Sequence, residues 1–365
     1  MILGILNEND QRVAVVPQLI KKFQKLGFEI WIETKAGETA NYSDAEYEAA
    51  NGKVTNKSEI LTNADVLVTY HPPSDEDLQI LKSKALVVSL FAPYIDDSIT
   101  EHLKQFDVIP FSLDMIPRTT IAQSMDVLSS MASVAGYRAV LEAANYLPRY
   151  FPMLITAAGS IKPCSVVVLG AGVAGLQAIA TAKRLGAVVE ASDPRAAARE
   201  EVLSLGGKFI EVEGAQDDTA AGGYAVQQSK EYLERQKAHV QERAMKADII
   251  ITTAQVRGRK APVLIPASTV EKMKSGSVII DIAASTGGNC ELTEDGKVIK
   301  KHGVTIIGDS NLAAKMPTDS SFLFANNIHN YLKIMVKDGQ IDLDWKNEII
   351  AKSCLVPSLS RVVSE

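Results

Sequence analysis

Ser165-Val166-Val167-Val168-Leu169-Gly170-Ala171-Gly172-Val173-Ala174-Gly175 decides how this chain is read. The β-branched run is a buried strand, and the glycine-rich turn after it opens straight into the helical run Leu176–Leu185. The first glycine allows the tight turn, the second lets the backbone approach a pyrophosphate, and the third lets helix and strand pack closely. The helix start offers N–H groups and a favourable dipole to phosphates. Asp193 follows the next predicted strand, Val188–Ala191, and lies 18 residues after Gly175. That is close to the roughly 20-residue spacing of a ribose-binding acid. A lone G-x-G-x-x-G is also found in plain turns; here strand, glycines, helix, second strand and acid fall in order. A carboxylate at Asp193 favours NAD over NADP, because it accepts from both ribose hydroxyls and repels a 2′-phosphate. The neighbouring Arg195 softens that repulsion. The candidate nucleotide contacts are Gly170, Ala171, Gly172, Val173, Ala174, Gly175, Asp193, Pro194, Arg195, Tyr224, Thr253 and Ala254.

Outward from this unit, short apolar runs alternate with helical patterns, which points to an α/β fold with parallel strands. Before it come the predicted strands Ile2–Leu6, Phe28–Glu33, Val66–Thr69, Leu86–Leu90 and Val108–Phe111, with a helix near Pro17–Lys25. After it come Lys208–Val212, Ile249–Thr253, Val278–Ile282 and Thr305–Ile307. A long helix is expected from Gln123 to about Tyr146, stopped by Pro148 and Pro152, as the crossing between domains. Asp319-Ser320-Ser321 reads as a cap before a helix over Phe322–Val336 that returns to the first domain, and Cys354–Glu365 reads as a tail. The aperiodic segment Gly214–Tyr224 reads as an exposed, mobile loop. The 365 residues make about two domains. The division expected is 1–128 with 311–365 in one and 129–310 in the other.

A net charge of −6 without a basic stripe argues against a nucleic-acid partner. No apolar run reaches the roughly 18 residues of a membrane helix, and the N-terminus reads as neither signal nor transit peptide. Cys164, Cys290 and Cys354 are far apart, so neither a metal site nor a disulfide framework is expected. The chain reads as a soluble intracellular protein.

The sequence resembles the NAD(H)-binding alpha component of proton-translocating NAD(P) transhydrogenases, and through it the alanine dehydrogenase fold. Pro117-Arg118-Thr119 with Ala122–Asp126 carries the likeness, as do Val168–Arg184, Gly222–Ala225, Asp281–Ala284, Gly287–Cys290 and Thr318–Phe322. The resemblance implies an α/β fold of two Rossmann-like, doubly wound parallel-sheet domains flanking a nucleotide cleft. It implies an oxidoreductase that exchanges hydride between NAD(H) here and NADP(H) on a partner subunit, coupled to proton translocation through a membrane-embedded subunit. Arg118, Gln123, Asp126 and Ser129 match residues at the nicotinamide end, and Tyr224 matches a tyrosine on a loop that closes over the nucleotide. A homodimer at the inner face of the membrane is implied, in the cytoplasm or on the matrix side of an organelle. From the residues alone, Arg118 and Asp126 also read as an ordinary ion pair at a helix start, and Tyr224 as a loop aromatic without a ligand.

Two other functions are weighed against this one. An alanine dehydrogenase needs a positioned acid/base, and the matching strand ends, Val68–Pro72 and Ser89–Ala92, carry no lysine and no histidine respectively where those enzymes have them. Arg12 matches their substrate-carboxylate arginine but does not discriminate. His71 reads either as a substitute base or as an exposed strand-end histidine, and Asp281 either as an acid or as a positioning residue. A non-catalytic NAD(H) sensor has the same motifs. The chain departs from the common family pattern at Gln255-Val256-Arg257 and at Ser285-Thr286.

Overall fold

The computed structural model describes residues 1–212 and 230–357. Tyr224 and the expected loop Gly214–Tyr224 lie outside the described residues. In chain order the first strands and helices are β1 (Ile2–Ile5), α1 (Ile20–Gln24), β2 (Glu29–Glu33), α2 (Asp44–Ala49), β3 (Lys53–Thr55), α3 (Lys57–Asn63) and β4 (Val66–Val68). Then come α4 (Asp75–Ile80), β5 (Ala85–Ser89), α5 (Ser98–Leu103), β6 (Val108–Ser112) and α6 (Val127–Tyr146). A hairpin of β7 (Leu154–Thr156) and β8 (Gly159–Ile161) leads to β9 (Ser165–Leu169), α7 (Val173–Arg184), β10 (Val188–Ser192), α8 (Ala197–Ser204) and β11 (Lys208–Phe209). The remainder is α9 (Lys230–Lys246), β12 (Ile249–Thr252), α10 (Ala267–Val270), β13 (Val278–Asp281), β14 (Lys297–Lys301), β15 (Val304–Gly308), α11 (Pro317–Lys333) and α12 (Glu348–Ser353). The chain folds as two compact units, Met1–Met131 with Ala314–Glu365, and Ala132–Ala313.

The first unit is built on a parallel sheet in the order β3-β2-β1-β4-β5-β6. Both faces of β4, β5 and β6 are buried, so these strands read as unbroken apolar runs rather than alternating ones. The segment after Ala314 completes this unit. Along α11, Phe324, Ile328, Tyr331 and Leu332 are buried. The Tyr331 ring meets Phe111 edge-on at 6.4 Å, and its hydroxyl shares a hydrogen bond with Ser353 at 2.6 Å.

The second unit has the order β11-β10-β9-β12-β13-β15-β14. Its strands are parallel except β14, which runs antiparallel to β15 at the edge. The sequence pattern missed β14 because Lys297-Val298-Ile299-Lys300-Lys301 is an exposed, lysine-rich edge. In both sheets the strand order reverses beside the first strand of the unit, β1 or β9. Ligands of doubly wound sheets bind beyond the carboxyl end of the strand at such a point.

Three of the boundaries that differ from expectation have a clear local cause. The long helix starts at Val127 instead of Gln123, because Ile121–Met125 forms a tight 3-10 turn before it. The returning helix starts at Pro317, where proline suits the first turn, so Ser320 and Ser321 are buried inside it rather than capping it. Cys354 is no tail: it bridges to Phe111, the Leu355 N–H donates to the Pro110 carbonyl at 2.9 Å, and Leu355 and Val356 are buried.

Candidate functional site

In the second unit the chain leaves β9 into the glycine turn. Gly170 has φ of +99°, a left-handed value that other residues adopt only with strain. A Cβ on Gly175 would lie 1.8 Å from the Gly170 carbonyl oxygen, so the third glycine is fixed by close packing of α7 on the turn. A Cβ on Gly172 would meet nothing within 4 Å among the described residues, which leaves space beside them over the middle of the turn. Among the described residues, no side chain caps α7. Its first-turn N–H groups are therefore available to an anion. Gly136 of α6 sets how closely that helix approaches α7, since a Cβ there would fall 2.0 Å from the Ala174 carbonyl oxygen.

Asp193 is tied into this turn. Its Oδ2 accepts the Ala171 N–H at 2.7 Å, and Arg195 closes on both oxygens through its own backbone N–H, Nε and Nη2 at 2.9–3.1 Å. Burial works to raise the Asp193 pKa, but these bonds outweigh it and hold the carboxyl below the ordinary carboxylate range. Pro194 and Arg195 are exposed beside it. The Thr253 hydroxyl donates to the Gly170 carbonyl at 3.1 Å and locks the turn from the neighbouring strand.

Ala254 is held by a residue that the sequence pattern gave no role. Asn289, fully buried, accepts the Ala254 N–H and donates to the carbonyls of Ala254 and Pro262, all within 2.9 Å. This brackets the departing segment Gln255–Arg257. Asp281, also fully buried, accepts the N–H groups of Ala283, Asn289 and Cys290 and the Thr293 hydroxyl at 2.7–3.1 Å. Both its oxygens are engaged by its own loop, which favours the positioning role over the acid role. The signal for Asn289 was a polar side chain next to Gly288, and for Asp281 a charge at the end of an apolar run.

In the first unit Arg118 and Gln123 are exposed, on the stretch that leads into α6. Asp126 does not pair with Arg118. Its Oδ1 accepts the Ser129 N–H at 2.9 Å and its Oδ2 the Ser129 hydroxyl at 2.6 Å, so it caps α6. Ala122 and Met125 are buried and anchor the 3-10 turn. Asn327 and Asn330 of α11 both donate to the Ser124 carbonyl, at 2.9 and 3.1 Å, and hold the turn that carries Gln123.

The switch point of the first unit is filled by side chains. Glu8 accepts the backbone N–H groups of Tyr70 and His71. Asp10 accepts Arg12 Nε at 2.8 Å and Nη2 at 2.7 Å, and pairs with His71 Nε2 at 2.8 Å. Burial works to raise the Asp10 pKa, but the Arg12 and His71 bonds outweigh it and hold the carboxyl well below the usual range. The Arg12 guanidinium lies 3.5 Å from the Tyr70 ring centroid. Two donors of its fork are thus directed at an internal carboxylate.

Comparison with known proteins matches both units of the fold over nearly the whole chain. The family description "Alanine dehydrogenase/PNT, N-terminal domain" matches residues 4–135, and "Alanine dehydrogenase/PNT, C-terminal domain" matches residues 139–362. The first part of NAD(P) transhydrogenase subunit alpha of Rickettsia prowazekii is 42% identical over 342 residues, covering 92% of this chain and 89% of that protein. The protein of the same name from Rhodospirillum rubrum is 42% identical over 356 residues, covering 95% and 93%. The crystal structure of transhydrogenase from Sinorhizobium meliloti superposes with a TM-score of 0.89 at 40% identity, covering 97% of this chain and 98% of that one. Two doubly wound units, one bearing the glycine turn, and a match that runs through both halves lead to one assignment: the chain belongs to the alanine dehydrogenase/PNT family.

Proposed function

We propose that this chain is the NAD(H)-binding subunit of a proton-translocating NAD(P) transhydrogenase, exchanging hydride between NAD(H) held here and NADP(H) on a partner subunit. The observation that carries the reading is the open glycine turn under the uncapped start of α7, with Asp193 fixed beside it. The turn and helix start fit a pyrophosphate, and the acid fits an adenosine ribose. NADH supplies the hydride and NADP⁺ receives it, so no proton moves at the reacting carbons; geometry is what the protein must supply.

Arg118, Gln123, Asp126 and Ser129 are proposed to meet the nicotinamide end. Gln123 presents both a donor and an acceptor to the carboxamide, and the Asp126–Ser129 bonds hold the start of α6. Tyr224 is proposed, from the resemblance, to close over the nucleotide. Relatives named as the first part of a subunit alpha suggest further subunits. Those proposed are an NADP(H)-binding and a membrane-embedded subunit, with this chain a homodimer peripheral at the inner face of the membrane. No helix of the described residues is long and apolar enough to cross a membrane. Exposed Tyr146, Tyr150, Met153 and Ile155 around the β7–β8 hairpin support a protein-contact surface there.

The test is one titration series on the whole chain. NADH should bind, pyruvate with ammonia should cause no oxidation of it, and addition of the partner subunits with an NADP⁺ analogue should start exchange. Oxidation that depends on ammonia would replace this reading with a dehydrogenase. NADH binding without partner-dependent exchange would replace it with a sensor.

A further inference from the structure

If the glycine turn holds a dinucleotide, as proposed above, Asp193 is already fully occupied before that nucleotide arrives. A carboxylate offers about four acceptor positions, and all four are taken here. Oδ1 accepts the Arg195 backbone N–H and Nε–H, each at 2.9 Å. Oδ2 accepts the Ala171 N–H at 2.7 Å and Arg195 Nη2–H at 3.1 Å. An adenosine ribose brings two hydroxyl donors, so two of the four must leave before both hydroxyls can bind. The backbone donors are fixed by the turn and by chain connectivity. The side-chain donors are not, because the Arg195 side chain is 56% exposed while that of Asp193 is 6% exposed. The two guanidinium donors also sit one on each oxygen, as the two hydroxyls of a vicinal diol would.

We infer that the Arg195 guanidinium stands in for the ribose diol on Asp193, and that NAD(H) binding exchanges one for the other. Arg195 is then a specificity-determining residue with opposite effects on the two nucleotides. Against NADH it is a competitor for the carboxylate. Once displaced, it remains tethered two residues from Asp193, where its charge offsets the repulsion between that carboxylate and a ribose 2′-phosphate. Asp193 alone would reject NADPH strongly; the pair rejects it less.

The experiment is paired fluorescence titration of NADH and NADPH with the whole chain as wild type, Arg195→Met and Arg195→Lys. Arg195→Met should bind NADH about three- to five-fold more tightly, the scale of a half-exposed ion pair. It should bind NADPH about five-fold more weakly, the scale of one screened charge contact. Arg195→Lys keeps the charge without the two-donor fork, so NADH should tighten while NADPH stays near wild type. NADH affinity in Arg195→Met equal to or weaker than wild type overturns the inference, as does an unchanged ratio of the two affinities. A wild-type chain that fails to bind NADH at all overturns the dinucleotide reading instead, so the two failures are distinct.

Discussion

Asp10, Asp193 and Asp281 show how one side chain serves three purposes according to what donates to it. Asp193 was legible in the sequence, because its place is fixed by the repeat of a strand–turn–helix unit. Asp281 was singled out with its acid and positioning roles left open, because the donors that decide between them come from 2 to 12 residues downstream in irregular chain. No periodic pattern encodes such a loop. Asp10 was not singled out, although Arg12 and His71 were; its Arg12 bonds are local, but the His71 contact forms only when β1 and β4 lie side by side. Its folded-state pKa lies below its unfolded value of about 3.9. Its stabilisation is therefore fully present above that value and is lost as pH falls towards the folded pKa. Asp10→Asn should cost about 3 kcal/mol at neutral pH by removing the carboxylate charge that two donors of buried Arg12 face. The melting-temperature gap from wild type should narrow below about pH 4, and a gap that stays constant on further acidification would refute the assignment.

At the scale of elements, the strands of both sheets other than β3 and β14 were read from apolar runs, and most differ from expectation by one or two residues. The start of α6 was placed too early because Gln123 and Ser124 suit a helix by composition, whereas buried Ala122 and Met125 and the Asn327 and Asn330 bonds to Ser124 hold a tighter turn. Those partners lie some two hundred residues away in the chain, outside any local window. The Asp126 cap separates two roles that the proposed function gives one residue. Asp126→Ala should lower stability by about 1 kcal/mol. Asp126→Asn keeps an acceptor for the Ser129 N–H and should retain most of that stability. If the charge of Asp126 serves the nicotinamide end, Asp126→Asn should still slow hydride exchange measured at saturating nucleotide and partner. Normal exchange in Asp126→Asn would reduce the residue to a cap.

For the whole molecule, family membership and two-unit α/β architecture were legible because both rest on motifs spread along the entire chain. The hairpin β7–β8 was not, since Met153–Ile161 is short and has no turn signature of its own beyond Gly159. A two-stranded hairpin is marginal in water by itself, and Ile155 is 72% exposed. If this surface joins two copies, Ile155→Asp should weaken self-association by about tenfold or more. Sedimentation equilibrium reads this directly: a wild-type monomer, or a variant that dimerises as well as wild type, would remove the hairpin from the interface.

The first unit is assembled from two chain segments, with the whole of the second unit between them. This imposes an order in time during synthesis. When Met131 has left the ribosome, β1 to β6 all exist, yet α11 and the Leu355–Val356 edge that cover them have not been made. At about 5–20 residues per second the wait is on the order of tens of seconds. Throughout it, the apolar surface destined for Phe324, Ile328 and Tyr331 has no native cover, while the second unit can already close around its own sheet. The nascent chain thus has a window in which its earlier half is the later to mature.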